Sequence, residues 1–191
     1  MKVLPICIVW FFVSVFEFAP DFVQADAIRS SSVAIYDVGE SFDTGNARFS
    51  IDTRQDDCSS DPEEEDLEQF DNTYLGITIS NALSRDIVLS RFRYRIRIPT
   101  NEGTKVFRGR NLGIVKNFRV PARSDDTEVV VPLFQVRDGE KVVPGGGEAL
   151  PLEGGFATLR FSLVGRSEDG KQTRTSGRVT VSVGNFDRCG G

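Results

Sequence analysis

The chain has 191 residues, a formal net charge of −5 and no histidine. Without histidine it cannot build a Ser-His-Asp or Cys-His catalytic centre, a His-Glu-x-x-His zinc helix or a histidine pH switch. Its acidic total charge and lack of any recognised nucleic-acid motif also count against a nucleic-acid partner.

Met1 and Lys2 precede an apolar run from Val3 to Phe16, broken by Glu17, and small residues follow at Val23-Gln24-Ala25-Asp26-Ala27. That layout predicts a signal peptide over residues 1–25, cleaved after Ala25 or Ala27. The run is about 14 residues long and falls short of the roughly 20 that span a bilayer, so no transmembrane anchor is expected. The expected location is secreted or periplasmic. The only tryptophan, Trp10, and the only methionine, Met1, lie in this leader, so the remainder lacks the core tryptophan of antibody domains. Two cysteines remain, Cys58 and Cys189, and in an oxidising compartment one disulfide between them is the simplest expectation; two free thiols are the alternative. Two cysteines without histidine make a poor zinc site, and neither a metal nor a cofactor is expected.

From residue 32 onward short alternating segments are separated by turn signals, and no helical period is sustained. Strands are expected at residues 32–38, 47–54 and 73–80, the last placing Leu75, Ile77 and Ile79 on one face. The polar turn Asn81-Ala82-Leu83-Ser84-Arg85-Asp86 leads into the strand 87–98, in which Arg91, Arg93, Arg95 and Arg97 alternate with Phe92, Tyr94, Ile96 and Ile98. A period of two fits only a strand with one face in a core and one in water. Pro99 and Asn101-Glu102-Gly103 stop it.

Strands at 104–107, 113–120 and 127–136 follow, with Pro132 marking an edge or a bulge in the last. A turn at 137–140 and a glycine-rich loop at 144–155 precede a closing hairpin of strands 156–165 and 178–184 through Ser167-Glu168-Asp169-Gly170. The expected fold is all-β: an immunoglobulin-like antiparallel β-sandwich of seven to nine strands forming one domain over residues 32–189.

Between residues 73 and 136 the pattern resembles the late-embryogenesis-abundant type 2 (WHy) domains. The resemblance is carried by Leu75-Gly76-Ile77-Thr78-Ile79-Ser80 with Asn81, the strand through Phe92 and Tyr94, and Val120-Pro121-Ala122-Arg123 before the valine-rich 128–132. Where that family usually reads Asn-Pro-Asn, this chain has Asn81-Ala82-Leu83. The resemblance implies an immunoglobulin-like sandwich without enzymatic activity.

Charge is unevenly distributed. Residues 85–123 hold eleven Lys or Arg against two acids, while residues 37–71 hold thirteen acids against Arg48 and Arg54. The segment 56–68 is too charged for a core and is expected as a surface loop; lacking the Asp-x-Asp-x-Asp-Gly spacing, it does not read as a calcium loop. Either the acidic loop covers the arginine face of its own molecule, or that face meets an outside polyanion or the acidic loop of a second copy.

Asp43-Thr44-Gly45 resembles the Asp-Thr-Gly of aspartic peptidases, where two carboxylates share a proton and a homodimer can supply both. Gly109-Arg110-Asn111 resembles the Gly-Arg-Asn of the retroviral-type enzymes. No second Asp-Thr-Gly occurs, and a strand-to-strand turn selects the same residues for geometry alone. The expected function is therefore non-catalytic binding or structural work at the cell envelope or outside the cell. Arg91, Arg93, Arg95 and Arg97 are the expected contact face, and the expected partner is an envelope or extracellular protein or an anionic polysaccharide; self-association is a further expectation, and an aspartic-type peptidase is the alternative.

Overall fold

The computed structural model describes residues 28–37, 49–59, 67, 70–114 and 118–186. The leader, Asp43-Thr44-Gly45 and Cys189 lie outside the described residues. Ten strands and no helix occur among those described: β1 (Ile28–Asp37), β2 (Ser50–Asp52), β3 (Thr73–Asn81), β4 (Ile87–Thr100), β5 (Gly103–Leu112), β6 (Arg119–Val120), β7 (Ser124–Arg137), β8 (Glu140–Val142), β9 (Phe156–Ser167) and β10 (Gln172–Gly184). Seven are long; the short β2, β6 and β8 carry the number past the expected nine.

One sheet runs β1-β3-β7-β8 and the other β2-β10-β9-β4-β5, with β6 pairing to β4. All pairings between strands are antiparallel except β2 with β10. Of the seven long strands, β1-β3-β7 of one sheet face β10-β9-β4-β5 of the other, which is the immunoglobulin-like division of a sandwich. The core fills the space between them with Ile77, Ile79, Val129 and Val131 from one side and Phe92, Ile96, Leu159 and Leu163 from the other, all fully buried.

The alternation of β4 is observed as read: Phe92, Ile96 and Ile98 are fully buried and the arginines point out. Pro132 marks a bulge and not an edge. β7 lies between β3 and β8, and one residue of β7, Leu133, is left over between the pairs Thr73–Phe134 and Tyr74–Pro132, so the missing proline N–H falls where the ladder is already interrupted.

Two spans differ from expectation. β5 runs on through Gly109-Arg110-Asn111, and among the described residues of the strand expected at 113–120 only Arg119–Val120 pairs. Gly109 serves a packing need within the strand. A Cβ there would stand 2.2 Å from Cε1 of Tyr94. The bare backbone lets the Tyr94 ring pass beneath β5, where its hydroxyl donates to the Leu133 carbonyl of the opposite sheet. The same ring meets Phe134 edge-on at 5.8 Å.

Asn81 holds the corner between β3 and β4. It is 1% exposed; its Nδ2 donates to the carbonyls of Arg85 at 2.8 Å and Pro121 at 2.9 Å, and its Oδ1 accepts from the Leu83 N–H at 3.0 Å. One side chain thus satisfies the turn that introduces the arginine strand and ties it to the segment preceding β7.

Candidate anion-binding face

A bulge sets the phase of the arginines. Leu89 pairs with Gly165 and Arg91 with Val164, leaving Ser90 as an extra residue, so Ser90 and Arg91 both point outward. From there Arg91, Arg93, Arg95 and Arg97 line the outer face of β4, while Arg95 alone is half-buried.

Register then assembles what single-strand reading cannot. Arg95 lies opposite Arg108 of β5 on one side and Arg160 of β9 on the other. Arg160 lies opposite Arg178 of β10. Four arginines therefore stand in one row across four adjacent strands, over about 14 Å at the usual strand spacing of about 4.8 Å. Like charges directly opposite one another are destabilising.

The ion pairs formed by basic residues 85–119 go elsewhere. Arg85 pairs with Asp169, and Arg119 with Asp86 at 2.6 Å and Glu168 at 3.1 Å, stitching the β3–β4 turn to the β9–β10 turn. Lys105 reaches Glu148 at 3.9 Å. Among the described residues none of Arg91, Arg93, Arg95, Arg97, Arg108, Arg160 or Arg178 is in an ion pair.

Arg95 sits at the middle of the unpaired group. Arg97 first, then partial burial, then Arg108 and Arg160 hold its guanidinium below the ordinary arginine value. Its Nε is shut off from water and donates to nothing. A shallow open depression of about 550 Å3 lies here, bordered by Arg93, Arg95, Arg108, Arg110, Arg160 and Arg174, with no acid among the described residues of its lining. Arg174 Nε donates to Ser162 Oγ at 2.9 Å, which fixes that side chain at the rim. A smaller hollow of about 70 Å3 opens between Arg95, Arg97, Thr158 and Arg160.

Guanidinium groups in a fixed array present paired N–H donors to carboxylate, sulfate or phosphate. Arginine does not give up its proton at working pH, so the face can hold and orient anions but supplies no general base. Among the described residues no group of three acidic, histidine or cysteine side chains is placed to hold a metal.

Of the acidic segment, residues 56–59 and Leu67 are described. Asp57 and Leu67 form an isolated bridge that brings the ends of the segment together. Asp56 accepts from Asn185 Nδ2 at 2.9 and 3.1 Å, just past the end of β10. Before it, Arg54 bridges Glu140 and the Gln55 N–H donates to Gly139 O, so the chain runs past β8, at the edge of the sheet that does not carry the arginines.

The sequence reading reached the arginines of β4 but did not join them to Arg160, Arg174 and Arg178, which are 60 or more positions away from Arg95 in the chain. A usable signal was present: Leu159, Phe161 and Leu163 alternate with Arg160 and Ser162 as the β4 residues alternate with their arginines.

No family model matches the chain, and no curated protein matches it. Among solved structures, the X-ray structure of Northeast Structural Genomics Consortium target SoR45 is similar over 88% of this chain and 96% of its own, at 15% identity and a TM-score of 0.41.

Proposed function

We propose that this chain is an exported, non-catalytic β-sandwich that holds an anionic partner on the outer face of β5-β4-β9-β10, at the cell envelope or outside the cell. The observation that carries this reading is the row Arg108, Arg95, Arg160 and Arg178, unpaired among the described residues although the chain as a whole is acidic. A chain that keeps like charges adjacent bears a cost that an outside anion removes. The side chains stand on a paired sheet and not on a loop, so binding need not order them from scratch.

The anionic partner is a polysaccharide or an acidic stretch of an envelope protein; a second copy supplies the latter through its segment 56–68. The disulfide between Cys58 and Cys189 belongs to the same proposal. In its support, Asn185 meets Asp56, which brings the chain four residues before one cysteine to the chain two residues before the other.

The test is binding of the exported chain to sulfated and uronate polymers as salt is raised, with sedimentation run in parallel on Arg93→Glu/Arg95→Glu. Binding that weakens from low to physiological salt supports the reading. A wild-type oligomer that becomes monomeric in the variant identifies the partner as a second copy. Affinity unchanged by salt and by the double reversal would refute it.

A further inference from the structure

We infer that the depression between β5, β4 and β9 selects tetrahedral oxyanions, sulfate or phosphate ester groups carried on a larger molecule, over carboxylates. This rests on the proposed function and names the ligand chemistry of the same face.

The geometry argues for the tetrahedral group. Arg108, Arg95 and Arg160 are cross-strand neighbours, and opposed positions in an antiparallel pair stand about 5 Å apart. A carboxylate has two oxygens in one plane, and a single arginine fork satisfies both. A sulfate or phosphate ester offers three terminal oxygens in three directions, so one group can accept from the central arginine and from a neighbour on each side at once.

The centre is also the place that most needs such a ligand. Arg95 is pressed by Arg97, Arg108 and Arg160, and among the described residues bordering the depression there is no acid to relieve it. Arg174 adds a donor at the rim whose direction Ser162 sets through Nε, leaving its two terminal nitrogens to the depression. At about 550 Å3, with an open mouth, the space far exceeds a bare ion. The oxyanion is accordingly an attached group, and the rest of its carrier lies along the row toward Arg178.

Affinities of the exported chain for a sulfated polysaccharide and for a polyuronate of matched charge per length, measured at physiological salt, test this, with inorganic sulfate and inorganic phosphate as competitors. Arg95→Gln is compared with Arg178→Gln. Both remove one charge from the row, but Arg178 does not border the depression.

The sulfated polymer is expected to bind about tenfold more tightly, one charge-assisted contact's worth. Arg95→Gln is expected to bring the ratio to within about twofold while uronate binding persists, which shows the variant folded; Arg178→Gln is expected to weaken both polymers and keep the ratio. Millimolar free sulfate or phosphate is expected to displace little of the polymer. Equal affinity at matched charge, or the same change of ratio in both variants, overturns the inference and leaves the proposed function standing. Binding of neither polymer overturns both, and full displacement by micromolar free ion overturns the attached-group part.

Discussion

Arg95 of β4 stands directly opposite Arg160 of β9, and each has a further arginine as its outer neighbour, Arg108 for the first and Arg178 for the second. Beneath that row the paired residues are Gly109, Tyr94, Phe161 and Gly177, aromatic rings at the centre with glycines on either side. The outer row is strained by charge; the inner row holds it in place. A Cβ on Gly177 would come within 2.4 Å of the Phe161 ring, as one on Gly109 would meet Tyr94.

Replacing Arg160 with threonine is expected to stabilise the protein. Arg160 has an arginine on either side, and relief of like-charge cross-strand pairing is worth about 0.5 kcal/mol, or roughly 1–2 °C in Tm for a domain of this size. The gain should shrink as salt rises, because exposed charges are screened. Differential scanning calorimetry at low and high salt checks both statements, and a loss of stability at low salt would contradict the reading of the row.

Gly109→Ala is expected to cost about 1–3 kcal/mol, since the added methyl meets the Tyr94 ring. The cost should fall when Tyr94 is also changed to leucine, so the two substitutions are non-additive. Urea denaturation of the four-member cycle measures the coupling; additive effects would show that the ring is not what requires the glycine.

Asn81→Ala is expected to cost about 2–3 kcal/mol, because it strips partners from the carbonyls of Arg85 and Pro121 and from the Leu83 N–H at a buried corner. Chemical denaturation gives the figure. A cost below about 0.5 kcal/mol, the range of ordinary surface changes, would contradict the role of Asn81 as the corner's organiser.

The pH response is expected on the alkaline side. Burial pushes the Tyr94 hydroxyl far above its ordinary value of 10.0. Above pH 10 the unfolded chain therefore releases this proton while the folded chain keeps it, and stability falls as pH rises. Denaturant midpoints at pH 9 and 10.5 should differ in the wild type and differ less in Tyr94→Phe. Arg95 acts with the opposite sign, since its value is lowered in the folded chain: stability from this group rises as pH climbs through that lowered value. On the acid side, the Ser167 hydroxyl first, with Arg85 and Lys171 adding to it, holds Asp169 below its ordinary 3.8, so its contribution is lost as pH falls below that value.

Much of the sandwich was legible because its determinants are local. The Arg-apolar alternation fixed the face each β4 side chain takes, and Pro132 announced a break in the ladder. The Ser167–Gly170 turn placed the last hairpin, although β10 begins at Gln172, earlier than read, because Thr173 and Thr175 are buried as hydrophobic residues would be. Register was not legible. Nothing along the chain states that Arg95 faces Arg160, since that pairing follows from how β4 and β9 slide to fill a shared core. The length of β5 was missed for a related reason: Gly109 reads locally as a breaker, while its role is set by Tyr94 on another strand. β1 likewise begins at Ile28, before the expected residue 32, across the irregularity between Ser30 and Ser32 that obscures its alternation.

The most direct test of the central claim is the affinity of the exported chain for a sulfated polysaccharide, measured at low and physiological salt, against Arg95→Glu/Arg160→Glu. Binding is expected to fall with salt and to weaken about a hundredfold or more in the reversed variant, as two lost charge-assisted contacts require. Binding indifferent to salt and retained by that variant would contradict it.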